Sequence, residues 1–359
     1  MTTPECEIDR AVQRLRRGGL VAFPTETVYG LGADALTPIA VARVFAAKGR
    51  PAHNPLIVHV TGREMAERRV CEWNDAAERL ARQFWPGPLT LVLPRSPDVP
   101  EAVSGGDASV AVRCPDHPAA LALLFKFGGP LVGPSANRSG EVSPTEAWHV
   151  RESFPDEAEV MIIDAGPCQH GIESTVVMLA DGCPRVLRPG VVGVEALSAA
   201  LGRKVEAIAR VGDGGVPGPG RAGGRLAALS PGLCDRHYAP RTRAVLVGSD
   251  ELDDLIDEFE GEGVVLITAG LTDREGIAGI VQMPFDAAGY AARLYAALRE
   301  ADAMGGRLIA VERPAGMAEP SRGVDGPSSC GTKQADLDRA IWTAVADRLA
   351  RATRPWPSD

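Results

Sequence analysis

Residues 20–32 read LVAFPTETVYGLG, an apolar run followed at once by polar residues and two glycines. The run at 20–23 predicts a short buried strand. The polar residues and glycines then lie where the strand ends, and glycine lets a backbone approach a ligand closely. The same stretch also suits a turn with a helix cap, so the residues alone leave a ligand site and a plain turn equally open.

Outward from this stretch, short apolar runs alternate with helical patterns. Upstream, Ile8, Val12 and Leu15 share one helical face that stops at two glycines. Downstream, Pro38 suits the first turn of a helix. This alternation predicts an α/β fold. Further strands are predicted at 56–60, 89–93, 110–113, 131–133, 160–164, 175–179 and 185–187, and helices at 76–84, 119–127 and 144–151.

A Gly/Pro-rich segment at 211–232 interrupts the pattern and is typical of an interdomain linker. The alternation then resumes and predicts a small, mostly parallel, Rossmann-like sheet. No GxGxxG follows its first strand, so no nucleotide is assigned to it. The predicted domains are 1–210, a linker at 211–241, and 242–359. The second domain has predicted strands at 244–247, 264–268 and 308–311, helices at 251–260, 287–303 and 337–352, and a flexible loop at 321–331.

Composition narrows the class of protein. The 359 residues carry a net charge of −9, and a tight nucleic-acid binder is usually basic. The seven cysteines are scattered with no CxxC pair, which argues against a zinc ribbon or a disulfide framework. No apolar run approaches the roughly 20 residues that span a bilayer, and the first ten residues are polar. We therefore expect a cytoplasmic protein with no membrane and no DNA partner.

Several basic residues occur in motifs that suit anionic ligands, each with a plain alternative. Lys48 and Arg50 in a Pro/Gly setting suit a polyphosphate, but a solvated helix end explains them as well. Arg113 ends a predicted strand and suits a carboxylate or phosphate partner, unless it is a surface arginine. Arg188 has the same two interpretations, and His59 alone is more often a strand residue than a ligand.

The stretch SPTE at 143–146 has the signature of a helix start, with Ser143 at the N-cap, Pro144 at the first helical position and Glu146 at the third. A helix N-terminus also binds anions, so a capping role and a ligand role for Ser143 are compatible. The chain has no GxxxxGK[ST], no GxSxG and no HExxH. Any ATP is therefore held without a Walker loop, and no covalent nucleophile is indicated.

Taken together, the motifs resemble the YrdC family. They run in order from residue 10 to about 201, and residues 230–240 resemble the SPGxxxxHYAP segment of its two-domain threonylcarbamoyl-AMP synthase branch. The resemblance implies a twisted mixed sheet with helices and a broad concave cavity. The ordered motifs are PTETVYGLG, KGRPxxNPLIVH, FWPGPLTLVLP, VAVRCP, GPSANRSGxxSPT, GIESTVV and RVLRPG.

The resemblance also implies a reaction, in which L-threonine, bicarbonate and ATP give threonylcarbamoyl-AMP and pyrophosphate. By motif position, it implies catalytic, threonine-binding and ATP-binding residues. The catalytic set is Lys48, Arg50, Ser135 and Asn137; the threonine set is Thr27, His59, Arg113, Ser135 and Ser174; the ATP set is Arg50, Asn54, Ser109, Gly133, Ser143 and Arg188.

Other expectations concern partners and the linker. Mg²⁺ is expected to arrive with ATP, with no metal ligand from the protein. The product is expected to serve the threonylcarbamoyl modification of adenosine beside the anticodon, with tRNA met indirectly or transiently through a downstream transferase. His237 and Tyr238 are predicted to act as a lid, or else to anchor the start of the second domain. An RNA-binding or ribosome-associated module on the same fold is the alternative function.

Overall fold

The structure is a computed structural model that describes residues 4–207, 238–259, 263–270, 273, 275–317 and 333–356. These residues form two compact units. The first holds the described residues up to 207, apart from 140–142 and 170–172. Those two short segments group with the second unit, which otherwise holds the described residues from 238 onward. The Gly/Pro-rich segment at 211–232, His237 and the predicted loop at 321–331 lie outside the described residues, so the predicted domain limits stay a prediction.

The first unit is built on a mixed ten-stranded sheet with the strand order β10-β9-β8-β4-β5-β3-β6-β2-β1-β7. The sheet contains parallel pairs, such as β3 with β5 and β4 with β8, and antiparallel pairs, such as β1 with β2. The strands are β1 Leu20–Phe23, β2 Gly30–Asp34, β3 Ile57–His59, β4 Leu89–Pro94, β5 Ser109–Arg113, β6 Leu131–Val132, β7 Val160–Ile162, β8 Thr175–Met178, β9 Arg185–Arg188 and β10 Glu206–Ala207.

Among the described residues of the first unit, eight helices cover much of this sheet. On one face, apolar residues of α2, α4 and α8 pack against alternate strand residues such as Val58 and Val112. On the other face, α1 and α6 pack against β1 and β6 through residues such as Leu15 and Leu124. The helices are α1 Pro4–Arg16, α2 Pro38–Lys48, α3 Arg63–Arg69, α4 Asp75–Phe84, α5 Glu101–Ser104, α6 Pro118–Phe127, α7 Ala147–Ser153 and α8 Val194–Leu201.

Strand β2 was not predicted, because its sequence is GLGAD and glycine is uncommon inside strands. The lack of a side chain at these glycines leaves room for the neighbouring ring of Phe23. A Cβ at Gly32 would lie 2.9 Å from Phe23 Cε1, and one at Gly30 would lie 3.1 Å from Phe23 Cζ. The ring of Phe23 on β1 therefore lies across the glycines of the antiparallel neighbour, where any side chain would displace it.

The prediction of a helix that starts at Pro144 with Ser143 as its N-cap is wrong. Helix α7 begins at Ala147, and Glu146 is its N-cap, in a capping box with His149. The preceding residues are not helical, and the Pro144 carbonyl accepts a hydrogen bond of 2.8 Å from the amide of Tyr29. Because the Ser143 hydroxyl donates to Glu173 at 2.7 Å, it does not cap the helix.

The second unit is a five-stranded, wholly parallel sheet with the strand order β13-β12-β14-β11-β15. This confirms the predicted Rossmann-like class, and the helix predicted at 287–303 has the observed limits. The strands are β11 Ala244–Val247, β12 Val264–Thr268, β13 Gly279–Gln282, β14 Leu308–Glu312 and β15 Arg354–Pro355; the helices are α9 Leu252–Glu258, α10 Ala287–Ala303 and α11 Lys333–Ala352, with a 3₁₀ turn at Ala315–Met317. In the part of the chain that the structure describes, no helix combines the length and apolar character needed to cross a membrane.

Tyr238, one of the two residues predicted to form a lid, is buried in the second unit. Its side chain is 1% exposed, its ring stacks on Tyr295 with 5.5 Å between centroids, and the guanidinium of Arg348 lies 5.5 Å from the ring centre. Tyr238 is therefore part of the packed interior of the second unit. Its packing favours the alternative in which it anchors the start of the second domain.

This burial predicts the effect of removing the ring. We expect Tyr238→Ala to lower the free energy of unfolding by about 3 kcal/mol, since deleting a buried aromatic side chain leaves a cavity. Tyr238→Phe keeps both ring contacts and serves as the control. Thermal unfolding of the two variants measures the effect. A loss of turnover with an unchanged melting temperature in Tyr238→Ala would contradict the anchoring role and favour the lid.

Candidate active site

One half of one face of the sheet in the first unit, here called the half-face, carries an apolar cluster. All buried members of this cluster belong to strands. Its buried members are Ile57, Val92, Ala111, Val176, Met178 and Leu187. Side chains two positions apart on a strand point to the same face. His59, Arg113 and Thr90 therefore share this face, as they lie two residues from Ile57, Ala111 and Val92. These three buried polar side chains therefore lie beside the apolar cluster on the same half-face.

Arg113, at the end of β5, is the central cation of the site. Its Nε donates to the Gly87 carbonyl at 3.3 Å and its Nη1 to Thr27 Oγ1 at 2.8 Å. Its Nη2 lies 2.7 Å from Glu26 Oε1, and the two side chains are 4% and 2% exposed. This contact is an ion pair without hydrogen-bond alignment, because Arg113 Nη2 and both Glu26 oxygens have no hydrogen-bond partner in the described residues.

The loop between β1 and β2 holds Glu26 and Thr27 in place through Thr25. The Thr25 hydroxyl donates to the Val28 carbonyl at 2.7 Å and accepts from the amides of Thr27 and Val28. It also lies 2.9 Å from the Thr27 hydroxyl. This local turn explains how PTETV follows a strand directly, and it leaves the Glu26 and Thr27 side chains directed at Arg113.

His59, at the end of β3, pairs in register with Arg113 on β5. It is 3% exposed, its ring meets Phe23 edge-on at 5.5 Å, and its Nδ1 has no hydrogen-bond partner in the described residues. Gly133 makes this position possible, because a Cβ there would lie 2.6 Å from His59 Nδ1. Burial first, and the Arg113 charge second, lower the pKa of His59 to about 3. The imidazole is therefore neutral at physiological pH.

Lys48, at the end of α2, is buried and bonded to the loop that follows β6. Its Nζ donates to the carbonyls of Ser135 and Asn137, each at 2.5 Å. Ser135 also forms a β-bridge with Gly30. Three of the four residues predicted to be catalytic therefore meet in one place. Arg50, the fourth, donates instead to the carbonyls of Asn54 at 3.3 Å and Pro55 at 3.0 Å.

The remaining predicted residues form three smaller groups. Arg188 donates to the Ser174 carbonyl at 3.1 Å and to its hydroxyl at 3.2 Å, and that hydroxyl lies 2.7 Å from Thr90 Oγ1. Ser143 pairs with Glu173, as described above. Ser109 donates through its hydroxyl and its amide to Asp107, at 2.8 and 2.9 Å.

Glu26, Thr90 and Glu173 lie in the site but were not singled out from the sequence. Glu26 and Glu173 sit inside quoted motifs, and Thr90 interrupts an apolar strand, which is a usable signal for a buried polar role. In the same order, their partners are 87, 84 and 30 positions away along the chain. No local pattern links residues at such separations, so only the fold reveals the pairing.

The electrostatics of the site favour an anionic ligand. Four buried cations, Lys48, Arg50, Arg113 and Arg188, face two buried carboxylates, Glu26 and Glu173, in the described part of the site. This excess of positive charge suits the phosphate or carboxylate groups of a ligand. No group of three or more His, Cys, Asp or Glu side chains that could hold a metal occurs among the described residues.

Family models match both parts of the chain. A model described as Telomere recombination covers residues 13–190, and a model described as Threonylcarbamoyl-AMP synthase, C-terminal domain, covers residues 194–353. The two matches together span nearly all residues on which the fold and the site depend.

Relatives and solved structures agree with these models. A threonylcarbamoyl-AMP synthase of Pyrococcus abyssi is 41% identical over 86% of this chain and 89% of its own length. One of Bacillus subtilis is 41% identical over 73% of each chain. The crystal structure of P. abyssi Sua5 complexed with L-threonine superposes with a TM-score of 0.79 at 37% identity, covering 97% of this chain and 95% of that one.

The neutral state of His59 predicts a specific acid sensitivity. The unfolded histidine binds a proton near pH 6.5 and the folded one only near pH 3, so stability is lost as pH falls through this window. At pH 4.5 the cost is about 2–3 kcal/mol. We expect His59→Gln to lose less stability than the wild type between pH 7 and 4.5, whereas His53→Gln at an exposed position keeps the wild-type slope. Identical pH slopes in thermal unfolding of all three proteins would contradict a buried neutral imidazole.

Proposed function

This chain belongs to the threonylcarbamoyl-AMP synthase family, and we propose that it forms L-threonylcarbamoyl-AMP and pyrophosphate from L-threonine, bicarbonate and ATP. Two curated relatives, each covered over more than two thirds of its length at 41% identity, carry that name. The P. abyssi structure that matches nearly the whole chain is a complex with L-threonine.

The observation that carries the proposal is the pairing of Arg113 with Glu26. Their facing atoms are buried, 2.7 Å apart and without hydrogen-bond partners in the described residues. A free amino acid carries a carboxylate and an ammonium on the same carbon atom. Its carboxylate suits Arg113 as a two-pronged donor, and its ammonium suits Glu26. The site therefore offers complementary charges to both ends of an amino acid.

The hydroxyl of threonine has candidate partners on the same half-face. We place it near His59 Nδ1, which is buried, neutral and without a described partner, and near the hydroxyls of Thr27 and Ser174. A neutral imidazole nitrogen can accept or donate one hydrogen bond, which is what a hydroxyl requires. This placement supports threonine over amino acids with apolar side chains.

The chemistry is a sequence of two bond-forming steps. The threonine ammonium first loses a proton to solvent, and the neutral amine attacks the bicarbonate carbon and releases water, which leaves a carbamate. A carbamate oxygen then attacks the α-phosphorus of ATP, and the bond to pyrophosphate breaks. Little covalent work falls to the protein, and positioning and charge compensation supply most of the rate. Lys48, Arg50 and Arg188 are the residues proposed to face the phosphates, with Mg²⁺ entering as part of the ATP substrate.

The product is an activated carbamoyl group, and we propose that it is passed on to the adenosine beside the anticodon of tRNA by a separate transferase. A direct and stable complex with tRNA is not part of the proposal, because the chain carries a net charge of −9. The cytoplasmic location expected from the sequence stays a prediction.

The function is tested by pyrophosphate release. We expect release from ATP only when threonine and bicarbonate are both present, with valine a poor substitute and serine an intermediate one. A site built to hydrogen-bond a hydroxyl rejects analogues that lack it, since its own polar groups are then left unpaired. Equal release with valine and threonine would contradict the assigned pocket. Binding of substrates without any release would favour a non-enzymatic module.

The role of Arg113 predicts how its variants separate the two substrates. Arg113→Lys keeps a positive charge beside Glu26 but loses the planar fork, so we expect the KM for threonine to rise about 10- to 100-fold with little change in the KM for ATP. Arg151→Lys, at an exposed arginine on α7, is the control. A larger rise in the KM for ATP than for threonine would assign Arg113 to the phosphates instead.

A further inference from the structure

In the parallel sheet of the second unit, the chain leaves two neighbouring strands in opposite directions. β12 and β14 are adjacent in the sheet. The chain continues from β12 to β13 at one side, and from β14 to β15 at the other side of the sheet. Where connections leave adjacent parallel strands in opposite directions, the carboxyl ends open into a crevice that commonly holds a ligand.

A carboxylate lies at this point. Glu312 ends β14, and Thr268 ends β12 beside it. The Thr268 hydroxyl donates to Glu312 Oε2, and the Ser249 hydroxyl, which follows β11, donates to Oε1 at 2.7 Å. A carboxylate accepts about four hydrogen bonds, and these two leave further acceptor capacity. Glu312 is half-buried, so its carboxylate is held from two sides and still reaches the crevice.

A buried hydroxyl that has no hydrogen-bond partner among the described residues lies within electrostatic range of this carboxylate. Tyr290 lies near the start of α10, the helix that follows β13. It is 1% exposed, and its Oη has no hydrogen-bond partner in the described residues. Burial, and after it the charge of Glu312, raise the pKa of Tyr290 above its usual range. The phenol therefore stays protonated and presents an unused donor.

The charge around the crevice disfavours phosphate. Several described segments, at 248–251, 283–286 and 312–317, follow the carboxyl ends of strands. They include the acidic residues Asp250, Glu251 and Asp286, and Arg313 is their single arginine. An aromatic surface is present as well, since the ring of the half-buried Trp342 lies 5.3 Å from that of Tyr290. The crevice thus combines a net negative charge with an apolar wall.

We propose that this crevice binds a neutral small molecule through a hydroxyl group, of the nucleoside or sugar type. One ligand hydroxyl donates a hydrogen bond to Glu312 and accepts one from Tyr290 Oη. This hydroxyl satisfies the hydrogen-bonding capacity of both side chains. The ring of a base or a sugar then contacts Trp342, as bases and sugars commonly do with aromatic side chains. The proposal concerns the second unit alone and does not rest on the reaction proposed for the first.

The test is titration calorimetry of the full chain with adenosine, ribose and AMP. We expect adenosine to bind more tightly than AMP at this crevice, and Tyr290→Phe and Glu312→Gln each to weaken adenosine binding at least tenfold. Tyr295→Phe, the same change five positions along the same helix, should keep wild-type affinity. Binding of ribose as well as adenosine would identify the sugar as the recognised part, and binding of adenosine alone would identify a nucleoside.

Two results would overturn the proposal. The first is the absence of saturable binding of adenosine and ribose, or binding that both variants leave unchanged. The second comes from thermal unfolding without ligand. Tyr290→Phe removes an unpaired buried hydroxyl, so its melting temperature should equal or exceed that of the wild type. A clear drop would mean that the hydroxyl already has a partner in the protein.

Discussion

The buried ion pair between Arg113 and Glu26 is the constraint on which the rest of the site depends. Leaving one member of such a pair alone costs about 3–5 kcal/mol, which is a large fraction of the roughly 5–15 kcal/mol that holds a domain folded. The surrounding structure holds both members of this pair in place. Thr25 fixes the loop that carries Glu26, and the Gly87 carbonyl and Thr27 hydroxyl take the other donors of Arg113.

The other buried cations are organised differently. Lys48 and Arg50 donate to backbone carbonyls, and Arg188 donates to the carbonyl and hydroxyl of Ser174. These bonds connect loops that follow or precede different strands, so each cation orders the backbone around the site as well as supplying charge. Charges held in a dry, fixed arrangement stabilise developing charge more strongly than charges that must reorganise.

Much of the fold follows from local sequence pattern. The apolar run at Leu20–Phe23 and the helix at Ala287–Ala303 lie where periodicity and helix signals place them. The failures share one cause, which is contact with distant residues. Ser143 has every local feature of a helix cap, yet the carboxylate of Glu173 takes its hydroxyl. Tyr238 lies beside a Gly/Pro-rich segment, yet it packs on Tyr295 of a helix far along the chain.

The candidate site shows the same division. The motif residues could be listed from the sequence, and the structure brings Lys48, Ser135 and Asn137 together, and separately Arg113 and Thr27. The sequence could not predict that Glu26 is the partner of Arg113, because the two residues are far apart along the chain and meet only in the folded structure. Likewise, the neutral state of His59 depends on burial and on a neighbouring charge that only the folded chain supplies.

The central claim is that this site joins the carbon of bicarbonate to the amine of threonine before adenylation. Mass spectrometry of the product formed from ATP, threonine and bicarbonate labelled with heavy carbon tests it most directly. The account predicts threonylcarbamoyl-AMP that is heavier by the single labelled carbon. An unlabelled threonyl adenylate, or no adenylate at all, would contradict it.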